Sequence, residues 1–153
     1  MEVLRYSADM SADLASSYNR LVHSLPYCYP ITAQEFASAA HVGDEASRSG
    51  LAHDAVLVAV DGSAPVGFLH VAVTSSDDDP QGLTRFFWYD RGQRVAGQAL
   101  LGAAEEHVRA YGADQMEVFH QNHRYPIYHM RHVWGSDRLE PVHALLHYND
   151  YRR

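Results

Sequence analysis

A turn that carries arginine and glycine, residues 90–97, joins an aromatic segment to a long segment rich in alanine and leucine. A helix amino terminus has unpaired backbone N–H groups and a partial positive charge, so a tight turn between a strand and a helix is suited to bind phosphate. Gln98-Ala99 stands where a nucleotide-triphosphate loop has Lys-Ser or Lys-Thr, and no Gly-x-Gly-x-x-Gly occurs. The turn is a candidate anion site. The alternative is that Gly97 only allows close helix packing.

Histidines are concentrated near the carboxyl end, since six of the eleven lie at positions 120, 123, 129, 132, 143 and 147. His143 and His147 are four residues apart in a predicted helix, a spacing that directs two imidazoles to one metal ion. No glutamate follows His143, and the single cysteine, Cys28, is remote in sequence. We therefore favour isolated or hydrogen-bonded histidines and predict no metal. A His-rich metal-binding domain stays open as an alternative.

The composition is that of one globular domain spanning residues 1–153. With 12 Lys and Arg against 19 Asp and Glu, the net charge is −7. A surface of this sign does not favour nucleic acid, because phosphate neutralisation needs a basic stripe. No apolar run approaches the length of a membrane span, and the amino terminus lacks a basic leader. We expect a cytoplasmic protein with no nucleic-acid or membrane partner.

The first half of the chain predicts a strand, two helices and a hairpin. Residues 2–9 alternate as a short strand, and apolar residues then recur at three- and four-residue steps in a helix that ends at Pro26. Thr32 and Glu35 have capping-box spacing and predict the start of a second helix. Two β-branched segments separated by Asp61-Gly62-Ser63 then give the strongest hairpin signal.

The second half predicts a strand, a helix and a strand. The aromatic strand covers residues 83–89, the helix runs from about 93 to 111 with Gly112 as its C-cap, and residues 114–121 form the next strand. This βαβ unit places two strands in parallel, so we predict a mixed α/β fold. A last helix begins after Asp137, which heads a second capping box.

This order of elements resembles the GNAT N-acetyltransferase superfamily over nearly the whole chain. The family has Arg/Gln-x-x-Gly-x-Gly/Ala at the helix entry. Aligning its last small residue on Gly97 places Val95 at the middle glycine and Gly92 at the Arg/Gln, with Arg91 one residue early. The loop is thus degenerate or one residue longer than usual. The resemblance implies a mixed central sheet, with about five strands in this chain and helices on both faces.

The resemblance also implies acetyl-CoA as co-substrate, with no metal. Backbone groups of the aromatic strand would pair with the pantetheine arm as an added strand does, and amides from Gln93 to Gln98 would bind the diphosphate. Arg91 and Arg94 would add charge-assisted contacts, unless they are solvated surface residues. The predicted cofactor-binding residues are Phe87, Trp88, Tyr89, Arg91, Gln93, Arg94, Val95, Ala96, Gly97, Gln98 and Asn122.

The implied acceptor is a small-molecule or peptide amine. A free alkylamine titrates near ~10, so it needs a base. The predicted candidates are His120, which ends the last strand, Glu117, which alternation places on the opposite face, and Asp90, at the mouth of the proposed slot. The position of the family's acidic tyrosine corresponds to Leu146, so Tyr128 or Tyr125 would supply the acid. The alternative is that both tyrosines pack under a loop with their hydroxyl groups in water.

The family has two further strands after its last helix, whereas only Arg152 and Arg153 follow Tyr151 here. We therefore expect a domain that is incomplete at its carboxyl end, or a homodimer or second domain that completes the sheet. The degenerate turn also keeps open a non-catalytic domain that binds acyl-CoA or a protein partner.

Overall fold

The chain folds around one five-stranded mixed sheet, as a computed structural model shows. The structure describes residues 1–23, 25, 28–40, 50–75, 78–120, 122–123, 125–128 and 139–152. Its strands are β1 Glu2–Arg5, β2 Leu51–Asp61, β3 Ala64–Thr74, β4 Gly82–Tyr89 and β5 Met116–Val118. They lie in the sheet in chain order, β1 to β4 antiparallel and β5 parallel to β4. The predicted α/β class and the parallel pair are confirmed.

Four α-helices and one short 3₁₀ helix accompany the sheet in the described part of the chain. The 3₁₀ helix is Ala8–Met10, and the α-helices are α1 Ser11–Val22, α2 Ala33–Ala40, α3 Arg94–Ala110 and α4 Glu140–Tyr148. None of them combines the length and the apolar character that crossing a bilayer requires.

Helices cover both faces of the sheet, as predicted. On one face, Tyr18 of α1 lies against Phe86 with ring centroids 6.2 Å apart. On the same face, the Phe36 ring of α2 meets the Phe68 ring of β3 edge to face. Tyr89 follows Phe86 by three residues and so points to the other face, where its ring packs on Gly97 of α3. One continuous apolar core joins the two layers.

Local capping signals hold in the structure. The Thr32 N–H donates to Glu35 Oε2 at 2.7 Å and the Glu35 N–H donates to Thr32 Oγ1 at 3.2 Å, which confirms the capping box. Gly112 has a φ of +83° directly after α3, in agreement with its predicted C-cap role. Asp137, predicted to cap the last helix, lies outside the described residues.

Two element boundaries were predicted wrongly. The first helix ends at Val22 rather than at Pro26, because residues before a proline avoid helical geometry and Leu25 leaves the helix in a turn. The strand predicted at 114–121 is only Met116–Val118, because Phe119 takes a left-handed φ of 59° that no strand accommodates.

We predict that Gly97→Ala destabilises the fold while Gly102→Ala, in the same helix, does not. A Cβ at Gly97 would lie 2.5 Å from the Tyr89 ring, whereas a Cβ at Gly102 meets no atom within 4 Å. The ring cannot swing away, because it is buried and its hydroxyl donates to the Pro141 carbonyl. Urea unfolding should show a loss of about 1–3 kcal/mol for Gly97→Ala. The control should gain up to about 1 kcal/mol from helix propensity. Equal effects of the two substitutions would contradict this packing.

Candidate functional site

The strands β4 and β5 separate after only three paired residues. Gly82, Leu83 and Thr84 pair with the three residues of β5. Thr84 then closes the pairing, since its carbonyl accepts the His120 N–H and its hydroxyl accepts the Phe119 N–H, both at 3.2 Å. Beyond this point β4 continues to Tyr89 without a paired strand on that side in the described part of the chain. A wedge-shaped opening results, with Thr84 at its apex.

A β-bulge at Arg85 aims the backbone of β4 into this opening. His70 pairs with Phe86 and the next residue of β3 pairs with Thr84, so Arg85 is the extra residue. The Asp90 N–H donates to the Val66 carbonyl at 2.7 Å. Counting back from this bond shows which residues of β4 direct their N–H and C=O groups toward β3 and which direct them away from it.

By this alternation the backbone groups of Phe87 and Tyr89 face the opening, and those of Trp88 face β3. The prediction that Trp88 contributes backbone groups to a ligand is therefore wrong, because its polar groups belong to the β3–β4 ladder. The Trp88 side chain is also buried, at 4% exposure.

The turn at the mouth of the opening presents free backbone donors. Gly92 has a φ of +91°, which only glycine adopts readily, and the Gln93 N–H closes the turn on the Asp90 carbonyl at 2.9 Å. No backbone acceptor within the described residues pairs with the amides of Arg91, Gly92, Arg94 and Val95. These four donors lie within five consecutive residues at the positive end of α3.

The donor set differs from the predicted one. The Ala96 and Gly97 amides donate to the Gln93 carbonyl at 3.0 and 3.2 Å, and both residues are buried. Gln98 lies within the helix. The prediction that amides from Gln93 to Gln98 are all available is wrong, because α3 begins at Arg94 and its own hydrogen bonds use the later ones. The free donors are shifted toward the strand.

Two arginine side chains flank these amides. Arg91 Nη2 lies 3.6 Å from Glu140 Oε2. Both side chains are mostly exposed, so this ion pair contributes little to stability. The Arg94 guanidinium lies 4.1 Å from the centroid of the Tyr148 ring, a cation–π distance. Val95, the next residue, is 69% exposed. The mouth of the opening thus carries two arginine side chains and is open to solvent.

Gln98 and Asn122 were predicted to bind the cofactor. The Gln98 side chain makes a reciprocal pair of hydrogen bonds with Asn149, both at 3.0 Å, which ties α3 to the end of α4. Asn122 is exposed, and its N–H donates to His120 Nδ1 at 3.2 Å. Neither contact tests a cofactor role, and that role stays a prediction.

Glu117 and His120, two of the candidates for proton transfer, lie together at the end of β5. The Glu117 carboxylate is 3.6 Å from His120 Nε2, and the His123 ring lies 4.9 Å from the His120 ring. The prediction that Glu117 and His120 occupy opposite faces is wrong, since the strand ends at Val118 and the left-handed Phe119 turns the chain. Burial and the neighbouring His120 lower the pKa of His123.

Tyr128, another of these candidates, packs in an aromatic cluster around Phe86. Its ring centroid lies 5.1 Å from that of Phe86, and the Tyr125 ring stacks on Phe86 at 5.2 Å. Both tyrosines are almost fully buried. The alternative that the hydroxyl group lies in water is therefore wrong for Tyr125, whose oxygen is buried. Tyr18 anchors this segment, because its hydroxyl donates to the Ile127 carbonyl at 2.6 Å.

A buried pair, Asp54 and His70, was missed by the sequence analysis. His70 Nε2 lies 3.2 Å from Asp54 Oδ2, and His70 is 0% exposed. Burial lowers the pKa of His70, and the positive charge of Arg85 adds to this effect, although the hydrogen bond to Asp54 opposes both. The available signal was the histidine at an inward position of the predicted strand, two residues after Phe68.

No group of three potential metal ligands occurs among the described residues. His129 and His132 lie outside them. His143 and His147 lie on α4, as the helical spacing predicted.

We predict that the buried His70 makes stability fall as pH drops below about 6.5. Its folded-state pKa lies below the unfolded value, so the unfolded chain binds the proton more readily and acid favours unfolding. Urea unfolding between pH 7.5 and 5.5 should show this decline in the wild type and a shallower one in His70→Gln. Asp54 does not interfere, because its pKa is lowered from 3.8 and its contribution is lost only in stronger acid. Equal slopes for the two proteins would refute the assignment.

Comparison with known proteins gives matches to structures only. No family model matches the sequence, and no curated protein matches it.

The fold itself matches solved acetyltransferases along nearly their whole length. An aminoglycoside 6′-N-acetyltransferase from Acinetobacter haemolyticus superposes with a TM-score of 0.62 at 10% identity, covering 100% of this chain and 92% of that one. A Trypanosoma brucei acetyltransferase gives 0.61 at 14% identity, covering 99% and 92%. An aminoglycoside acetyltransferase from an uncultured soil metagenomic sample, in complex with sisomicin, gives 0.60 at 12%, covering 99% and 87%. This chain has the GNAT N-acetyltransferase fold.

Proposed function

We propose that this protein transfers the acetyl group of acetyl-CoA to a primary amine by direct attack of the amine. The observation that carries the proposal is the opening between β4 and β5, which leads from the apex at Thr84 to four free amides at the start of α3. A long, polar, flexible acyl carrier with a diphosphate at one end matches the backbone groups of β4 that face the opening and the amide donors at its mouth.

The residues along β4 fit the pantetheine arm. Backbone N–H and C=O groups of Phe87 and Tyr89 face the opening, and an amide-containing chain pairs with such groups as an added strand does. The apex brings the thioester end near Thr84, Phe119 and His120.

The turn fits a diphosphate. The amides of Arg91, Gly92, Arg94 and Val95 are free donors at a helix amino terminus, where an anion is favoured. The side chains of Arg91 and Arg94 add positive charge beside them. Acetyl-CoA supplies the activated acetyl thioester, and this chain orients it.

In this proposal the proton-transfer steps take place at the apex of the opening. The acceptor ammonium gives up one proton to the base, and the amine nitrogen then forms the C–N bond with the acetyl carbon. As the C–S bond breaks, the acid protonates the thiolate and the nitrogen loses its second proton, which restores the acid. His120, held near Glu117, was predicted as the base, and Tyr128 as the acid that protonates the departing thiolate.

A cationic amine is the acceptor class that the charge supports. The net charge of −7 favours association with positive molecules. Two structural neighbours are named aminoglycoside acetyltransferases, so aminoglycosides belong in an acceptor panel together with polyamines and peptide amines.

We predict that Val95→Pro weakens coenzyme A binding and that Val95→Ala does not. Proline removes the free amide but is tolerated in the first helical turn, as Pro141 is at the second residue of α4. Val95 is exposed, so loss of its side chain has little effect. A hydrogen bond to a charged group contributes about 1.5–3 kcal/mol, which corresponds to roughly 10- to 150-fold in Kd by calorimetry. Equal affinities for the two variants would remove the diphosphate from this turn.

We predict turnover with primary amines in an assay that detects the free thiol of coenzyme A. Each active amine should be compared with its N-trimethyl analogue, which has the charge but no proton to lose and should give no thiol above hydrolysis. Mass spectrometry of the product should show one added acetyl group. Coenzyme A binding without turnover on any amine would favour a non-catalytic acyl-CoA-binding domain instead.

A further inference from the structure

Two buried polar atoms beside the opening have no hydrogen-bond partner in the described part of the chain. They are His70 Nδ1 and the Tyr125 hydroxyl. The two rings meet edge to face, with centroids 5.6 Å apart. Buried polar groups are almost always paired in folded proteins, so two unpaired ones on rings that contact each other point to a functional reason.

The Asp54 carboxylate fixes the chemical state of His70. An ionised carboxylate only accepts hydrogen bonds, so Nε2 carries the proton in the pair with Asp54. In the neutral ring, Nδ1 is then a lone pair that is ready to accept a proton. This is the arrangement of a histidine base oriented by a carboxylate.

Tyr125 joins this pair to β4, because its ring contacts both His70 and Phe86. Its ring stacks on Phe86, the β4 residue that pairs with His70 of β3. The Arg85 guanidinium lies 5.8 Å from the centroid of the Tyr125 ring. Arg85 is the bulge residue at which β4 leaves β5. The cluster of Asp54, His70 and Tyr125 therefore reaches from β2 across β3 to the apex.

We propose that Asp54, His70 and Tyr125 form a proton relay that accepts the proton of the acceptor amine. This inference rests on the proposed acetyl transfer. The Tyr125 oxygen accepts the proton from the ammonium while its own proton passes to His70 Nδ1 along one water, since these two atoms are not hydrogen-bonded to each other. The imidazolium is stabilised by the Asp54 carboxylate. One proton enters the relay for each amine activated and leaves it to solvent after acetyl transfer.

The charged and titratable groups around His70 agree with this role. Asp54 faces it from β2, Arg85 from β4 and Tyr125 from the segment after β5. Burial and Arg85 lower the pKa of His70, so the ring is neutral near pH 7 and is able to accept a proton. Asp54 acts through His70 and is a positioning residue.

The test compares pH profiles of kcat/KM for one amine substrate. In the wild type, the rate should level off above the pKa of His70, because the enzyme takes the proton. His70→Gln should lower the rate about 100-fold near pH 7. Its rate should then rise about tenfold per pH unit toward the amine pKa, since only free amine reacts. Tyr125→Phe and Asp54→Asn should shift the profile in the same direction.

Two other histidines provide controls. His107 is also nearly buried, but it lies on α3 and bonds the His53 carbonyl, so His107→Gln should keep the wild-type profile. His120→Gln tests the competing base. The relay is wrong if kcat/KM of His70→Gln follows the wild-type pH profile, or if His120→Gln alone shows the tenfold rise per pH unit. Either result leaves the proposal of acetyl transfer intact. A wild type without turnover overturns both.

A measurement on the wild-type protein covers the case in which His70→Gln does not fold. Nitrogen-15 NMR of labelled histidines should show one buried ring protonated at Nε2 and not at Nδ1. Its Nδ1 resonance should be absent from the spectrum of a folded Asp54→Asn protein or shifted within it. Protonation at Nδ1 in the wild type would overturn the relay.

Discussion

The separation of β4 from β5 after Thr84 is the constraint on which the rest of the structure depends. One residue holds the apex, since its carbonyl and hydroxyl both accept N–H groups of the chain that leaves β5. The bulge at Arg85 then turns the next backbone groups of β4 into the opening. Backbone polar groups demand partners, so an opening of this kind persists only where solvent or a ligand supplies them. A fully paired β4–β5 ladder would have no room for a carrier.

Tyr89 fixes the other end of the opening. Its ring lies on Gly97 and its hydroxyl donates to the Pro141 carbonyl, so one side chain holds β4, α3 and α4 together. The two interpretations of the turn, close helix packing and exposed amide donors, apply to different residues. Gly97 serves close packing, whereas Gly92 provides the left-handed turn that exposes donors. The amides that have no backbone partner in the described part of the chain lie upstream of the packed glycine.

The apex combines an apolar surrounding with a few polar groups. Rings of Tyr18, Tyr125 and Tyr128 enclose Phe86, and the Asp54–His70 pair lies at the margin of this cluster. Electrostatic interactions are stronger in such a low-dielectric environment, and an unpaired polar atom is correspondingly costly. The unpaired atoms of His70 and Tyr125 therefore cost stability where they lie. By contrast, the Glu117–His120 pair is more exposed and its interaction is screened by water.

The sequence by itself determined the elements whose signals are local. The Thr32–Glu35 capping box, the hairpin at Gly62, the cap at Gly112 and the parallel strands around α3 depend on residues close in sequence, and all were predicted. The turn was found as a candidate anion site for the same reason. The sequence did not show which of its amides lack a backbone partner, because the residue at which α3 begins decides which N–H groups take part in helical hydrogen bonds.

Only the tertiary structure decided the composition of the apex. Phe119 turns the chain so that Glu117 and His120 meet, against the alternation that a longer strand would impose. Asp54 and His70 are separated by 16 residues and meet through a hairpin whose register is shifted between Ala52 and Ala55. No periodicity in the sequence encodes such a shift, since a bulge changes which face a side chain occupies without changing the residue types around it.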